Sequence, residues 1–449
     1  MPNNYILLET IALTQSAASV TFDNLPTSGY TDLKIVVSAR STANGGQNMN
    51  LTFNSTTSGY SDRILSGNGS AASSFTSGNT SRGGSCVMPG ADFTANTFGN
   101  GEIYIPNYRG SNAKSFSSDS VSENNTTLSY NQMQATLWNN SAAITNILID
   151  LSGGSFAAGS TFSLYGVAAL GTTPVLAPKA TGGNIVSNDG TYWTHTFLTS
   201  GNFVPQVGLT CDVLVVAGGG GAGAGAGGGG GAGGFRASTG NAVTTTTYPV
   251  TIGAGGAGGA SGAANRGLVG SDSIFSSITS TGGGFGGAHA QSIAAGNGGS
   301  GGGAGGGGNS NNTAGSASPS GQGNNGGIAS NSSGAYGGGG GGGASAVGAS
   351  GSSTVGGNGG NGSANSYSGA SVTYAGGGGA GTYSGGGGTF GGGTGGTGGG
   401  GNAATTTNGT GGNGTANLGG GGGAGTYTSA YGAGGSGGSG IVIIRYPIA

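Results

Sequence analysis

Between residues 218 and 440 the chain is built mainly from glycine: 92 of these 223 residues, with only Arg236, Arg266 and Asp272 carrying a formal charge. So little side chain leaves three options: loose linker, collagen, or a packed lattice of bare backbone. Collagen needs glycine at every third position with proline between. Here 218–221, 227–231 and 337–343 are unbroken glycine, and Pro319 stands alone between Pro249 and Pro447. A random-coil linker is disfavoured by the near absence of charge, which removes the self-repulsion that keeps disordered chain open. Two apolar β runs also bracket the stretch, Asp212-Val213-Leu214-Val215-Val216 before it and Ile441-Val442-Ile443-Ile444-Arg445-Tyr446 after it. Paired in one sheet, they would make the glycine region a closed insertion.

An extended left-handed helix with three residues per turn suits such an insertion. It rises about 3.1 Å per residue and makes no internal hydrogen bonds, so its N–H groups are free to meet a neighbouring rod. Runs of about ten residues give rods of roughly 30 Å. A net hydrogen bond contributes about 0.5–1.5 kcal/mol, while ordering a residue costs about 1–2 kcal/mol. The lattice therefore needs framing strands, aromatic spacers or neighbouring subunits. The sequence predicts a polyglycine-II helix bundle over 218–440, with glycine blocks at 218–234, 253–270, 282–308, 337–343, 376–400, 411–425 and 432–440. Polar segments at 309–331, 361–374 and 402–408 are expected to turn at the rod ends.

The remainder reads as all-β. Strands are predicted at 5–13, 19–22, 33–40, 49–53, 102–105, 129–138, 144–151 and 162–170, rich in Val, Ile, Thr, Tyr and Phe between Gly/Asn/Ser turns. They point to an N-terminal β-sandwich, jelly-roll-like, over 1–170. Polar 54–100 is expected to be loop-rich. A linker at 171–183, with Pro174 and Pro178, precedes framing strands within 184–217 and a closing strand at 441–449. Within 184–217 strands are predicted at 184–186, 192–198, 202–204 and 212–216. In 192–198 the alternation predicts Trp193, His195 and Phe197 inward and Thr194 and Thr196 outward. Two more strands are predicted at 242–252 and 271–280.

The chemistry-bearing residues are sparse. Net charge is −2, so no basic face for nucleic acid is expected. Cys86 and Cys211 form no metal-ligand spacing and read as buried free thiols. No apolar run reaches eighteen residues, so no transmembrane helix is expected. The first residues have no basic and long apolar signal-peptide pattern. The strand ending at Val216 followed by glycines imitates a dinucleotide fingerprint, but lacks the following helix and the later acid. His195 and His289 are the only histidines. They give no catalytic triad; His195 reads as a strand residue, and Asp212 and Asp272 as strand terminators. No enzyme activity, cofactor or metal is expected. Tyr336, Tyr367, Tyr374, Tyr383, Phe390, Tyr427 and Tyr431 sit singly among glycine runs. Each either plugs the bundle or belongs to a recognition loop of Tyr, Ser, Gly and Asn. As recognition residues the candidates are Tyr336, Tyr367, Tyr374, Tyr383, Phe390 and Tyr427.

Three stretches carry a resemblance: Thr194-His195-Thr196-Phe197-Leu198 with the 212–221 run, Tyr248-Pro249-Val250-Thr251-Ile252, and Gly437-Gly438-Ser439-Gly440 leading into Ile441. Together they resemble the glycine-rich domain of bacteriophage tail-fibre and related adhesive proteins. Glu102-Ile103-Tyr104-Ile105-Pro106-Asn107-Tyr108 and Lys114-Ser115-Phe116-Ser117, with Tyr30 to Leu33, resemble a β domain of virion structural proteins from aquatic phages. The resemblance implies a non-enzymatic tail fibre or adhesin on the exposed virion surface. It implies other virion proteins and a host receptor, a glycan or outer-membrane protein, as partners, with no nucleic acid. A homo-oligomer, trimer favoured, would help hold the lattice. A capsid-decorating head fibre and a cellular surface adhesin are the alternatives.

Overall fold

The structure, a computed structural model, describes residues 5–23, 25–123, 129–168, 177–290, 294–307, 313–330, 335–384 and 391–448. The described chain is all-β, with no helix. It divides into two compact units. One comprises Met1–Lys179, Asn184–Trp193 and Pro447–Ala449; the other comprises Ala180–Gly183 and Thr194–Tyr446.

The first unit contains β1 (Tyr5–Ala12), β2 (Ser19–Phe22), β3 (Tyr30–Ala39), β4 (Gln47–Phe53), β5 (Tyr60–Gly67), β6 (Ala72–Thr80), β7 (Gly83–Met88), β8 (Gly99–Ile105), β9 (Lys114–Glu123), β10 (Ser129–Trp138), β11 (Ile147–Leu151) and β12 (Thr161–Ala168). One antiparallel sheet runs β1-β12-β3-β8-β9-β10-β5-β6, with the strand Ile185–Asn188 beside β1; the other runs β2-β11-β4-β7. Their inner faces share one core that includes Phe22, Ile35, Phe53, Trp138, Ile149 and Phe162. Phe53 packs edge-on against Phe116 at 5.3 Å and Trp138 at 5.4 Å between ring centroids. Lys114, also buried, donates to the carbonyls of Gly110, Asn112 and Ala142 at 2.7, 2.6 and 2.9 Å. Burial lowers its pKa, and the three acceptors replace the water that an ammonium would otherwise lose.

Region 54–100 is not loop-rich: it holds β5, β6 and β7, and β9 lies where no strand is predicted. The reason is an inverted face pattern, with polar Asp62 inward on β5, Ser85 on β7 and Ser118 and Ser120 on β9; the neighbouring β10 shares it. In β10 the inward side chains are Gln132, Gln134, Thr136 and Trp138, while Met133 and Leu137 are exposed. Several of the inward polar groups are satisfied around Asp62. Thr136 donates to Asp62 Oδ1 at 2.9 Å, Ser77 donates to Asp62 Oδ2 at 2.8 Å, and the Gly84 N–H reaches Asp62 Oδ1 at 3.2 Å. A buried polar network of this kind leaves no hydrophobic alternation to read.

In the second unit the two bracketing runs do pair. Leu209–Val216 lies antiparallel to Ile441–Pro447, with Val213 opposite Ile444 and Val216 opposite Ile441. Asp212 sits within the strand rather than ending it. It faces Arg445 in register and accepts from Arg445 Nε at 3.2 Å and its terminal nitrogen at 3.1 Å. The 242–252 strand is two, Phe235–Val243 and Tyr248–Thr251, and 271–280 is a hairpin, Ser273–Phe275 with Ile278–Ser280. Thr194 and Thr196 are buried like their neighbours. Thr194 donates to the carbonyl of Tyr367 at 3.3 Å, so the segment around Tyr367 covers the face expected to meet water. Cys86 and Cys211 are buried free thiols.

The glycine runs form hydrogen-bonded rods that are neither helix nor strand in their bonding. The block 218–234 is two rods reversing around Gly225, which takes φ of 67°. Along 228–234 the N–H groups point in turn to three neighbours. Gly228, Gly231 and Gly234 donate to Gly287, Gly284 and Thr281, each at 2.8 Å. Gly229 and Ala232 donate to Gly339 and Gly342 at 3.1 and 3.0 Å, and Gly230 and Gly233 to Gly422 and Gly419 at 2.9 Å. The carbonyls repeat the period: Gly228 and Gly231 accept from Gly223 and Gly220, Gly229 and Ala232 from Gly303 and Ser300, and Gly230 from Gly378. This rod is thus bonded to six others, as three residues per turn requires of a rod with no internal bonds. A Cβ built on Gly230 would lie 2.1 Å from the Gly220 carbonyl oxygen, so only glycine fits there.

Candidate functional site

Several rods run from the frame end, where the bracketing strands and the cluster around Tyr374 lie, to a common tip. Residues 218–224 leave the strand Leu209–Val216 and reverse at Gly225; the run after Thr281 ends at His289; the run after Ala375 ends at Tyr383. The run after Leu418 ends at Tyr427, and Tyr431 starts the return to Ile441. Gly225 lies against the tip aromatics, its built Cβ falling 2.7 Å from Tyr431 Cδ1. Rods of similar length therefore deliver aromatics from distant parts of the chain to one place.

There they stack. Tyr336 and Tyr383 face each other across the short ladder Ala335–Gly337 with Thr382–Ser384, rings parallel at 5.7 Å. Tyr383 meets Tyr427 at 5.1 Å, and Tyr427 stacks on Tyr431 at 4.4 Å. His289 lies against all four, at 5.0 Å from Tyr427 and 5.8–6.0 Å from the others. The tyrosines are half-buried and His289 is 7% exposed. Its Nδ1 has no hydrogen-bond partner among the described residues. Burial pushes the His289 pKa down, opposed by the Gly306 carbonyl, so the imidazole is neutral at physiological pH. Ring faces edged by hydroxyls, with no charged group among them, can stack on and hydrogen-bond a partner.

Of the six recognition candidates, Tyr336, Tyr383 and Tyr427 meet at this tip. Tyr374 does not: it is 2% exposed and packs with Leu214, Val216 and Ile443 at the frame end, where it is a plug. Tyr367 is also at the frame end, with the Arg445 guanidinium 4.1 Å above its ring. Phe390 lies outside the described residues. His289 and Tyr431 complete the cluster. Their signal was positional, since each stands where a glycine run ends or begins, as Tyr336, Tyr383 and Tyr427 do.

The resemblance of 213–223 to a nucleotide fingerprint ends in the rods. Every N–H from Gly218 to Ala224 is donated to a neighbouring rod at 2.8–3.0 Å, leaving none to cradle a phosphate. Among the described residues no three His, Cys, Asp or Glu side chains cluster as metal ligands.

Comparison with curated proteins finds no match. The model of a glycine-rich domain matches residues 196–447, more than half of the chain, from the second framing stretch through the whole bundle to the closing strand. The chain belongs to this glycine-rich domain family.

Proposed function

We propose that the protein is a non-enzymatic virion structural component, a tail fibre or adhesin on the particle surface, whose bundle tip meets a host-surface receptor. The observation that carries this reading is the tyrosine stack at the end of a rigid rod lattice. Recognition residues usually sit on loops held by a rigid scaffold, and tyrosine gives large contact area at small entropic cost. The resemblance of the framing motifs to phage adhesive proteins supports the same reading. The receptor is a glycan or an outer-membrane protein, other virion proteins hold the subunit in place, and a trimer would add contacts that stabilise a marginal lattice.

The test is a paired variant, Tyr383→Ala with Tyr427→Ala, in assembled particles. Adsorption to host cells is expected to fall at least tenfold while particle yield and morphology stay normal. Normal adsorption would remove the tip from the reading. Fragile or undecorated heads on deletion of 218–440, with adsorption intact, would favour a capsid-decorating role.

A further inference from the structure

The sandwich carries a second feature that neither the bundle nor the tip uses. The outer face of its larger sheet holds a trough of about 710 Å3, within the range of small-molecule sites. The inverted pattern of β10 and β5 creates one wall, with Met133 and Leu65, opposite each other in register, exposed by 58% and 55%. Outward apolar groups of this size add nothing to the core, and clustered ones mark recognition surfaces. The floor is small: Ser117 pairs with Ala135, between Tyr104 on β8 and Arg63 on β5.

The opposite wall is preorganised. The Tyr104 hydroxyl donates to Asp32 Oδ2, and Asp32 Oδ1 accepts the Asn107 N–H at 2.8 Å, so the ring is held at its rim. Lys34 pairs with Glu102 at 2.9 Å. Asp119 lines the trough with a carboxylate that makes no hydrogen bond among the described residues. Lys34 and Arg63 balance Glu102 and Asp119, so the trough has no net charge.

We propose that this trough binds a neutral saccharide, with sugar C–H faces against Tyr104 and the Met133–Leu65 wall and hydroxyls bonded to Asp119 and Arg63. The two carboxylates oppose a polyanion, and the charged rim opposes a lipid chain. A second copy of this concave face would leave the trough unfilled.

Titration calorimetry of the full chain with neutral hexose oligosaccharides of the gluco, manno and galacto series tests this, with heparin fragments as the acidic counter-probe. At least one neutral series is expected to bind. Tyr104→Ala should weaken it tenfold or more and Asp119→Asn several-fold, while Phe75→Ser, on the same sheet outside the trough, leaves it unchanged. Thermal melts check that each variant is folded. The proposal fails if no neutral series binds, if only heparin fragments bind, or if Tyr104→Ala changes nothing. It fails equally if sedimentation shows Met133→Asp breaking up an oligomer, since a second copy would then be the occupant.

Discussion

The two units solve the same problem with opposite materials. The sandwich is held by interlocking side chains such as Phe53, Phe116 and Trp138, each a large apolar surface removed from water. The bundle has almost none of this and is held by amide bonds between rods. Since a net hydrogen bond of about 0.5–1.5 kcal/mol is offset by about 1–2 kcal/mol of ordering, rods alone are marginal. Three devices at the rod ends supply the difference: the paired strands Leu209–Val216 and Ile441–Pro447, the apolar cluster around Tyr374, and the tyrosine stack. A side-chain core concentrates stability in its middle, whereas a backbone lattice depends on its ends.

The contrast is most exposed at Phe53. Phe53→Ala is expected to cost about 3–5 kcal/mol and to lower the melting of the sandwich, while amide protection of 228–234 persists in hydrogen exchange. Collapse of both together would break the comparison. Acidity should then move the two units in opposite directions. His195 is buried between the Gly182 carbonyl, at 2.7 Å from Nδ1, and Tyr446. Burial lowers its pKa from 6.5 to about 4, so its contribution, about 3 kcal/mol at most, is present above pH 6.5 and lost as pH falls toward 4. Glu9 on β1 runs the other way: burial, with Asp23 beside it, raises its pKa from 4.5 to about 7. Its contribution is full below pH 4.5 and lost as pH rises through 7. Urea titrations at pH 5 and pH 7.5, with His195→Gln and Glu9→Gln each flattening one unit's response, check both signs.

Gly230→Ala tests the lattice from inside. With the new methyl 2.1 Å from the Gly220 oxygen, a loss of about 1–3 kcal/mol is expected, read as faster exchange of the 220, 231 and 378 amides. A neutral result would mean that the rods are looser than their bond lengths indicate. The smallest effect is expected at the clip. Arg445→Lys keeps a charge near Asp212 but loses the planar stack on Tyr367, and should cost no more than about 1 kcal/mol by chemical denaturation.

How far the sequence disclosed this follows from which side chains carry the pattern. The brackets were legible because Val213 to Val216 and Ile441 to Ile444 are unbroken apolar runs, and the bundle because long runs of glycine, broken by little more than alanine, allow such close backbones. β5, β7 and β9 were hidden because their inward residues include Asp62, Ser85, Ser118 and Ser120, which find partners inside the sheet pair, Asp62 in Thr136 and Ser77 and the serines in backbone groups of Met49, Ser85 and Val87. At the tip the residue type was readable but the partnership was not. Tyr336 and Tyr383 are brought together by rods of similar length, a quantity that single aromatics among glycines do not announce. Tyr374 looked the same in sequence and ended at the opposite pole.

The three-way rotation of donors along 228–234 has a consequence for how such a molecule can vary. Adding or removing one residue inside a rod turns every later amide by a third of a turn and aims it at the wrong neighbour, much as a shifted reading frame corrupts all that follows. Only changes in triplets keep the phase, and then at the expense of length. The tip loops have no phase to keep. Diversity should therefore accumulate there, leaving a constant mast under a changeable head.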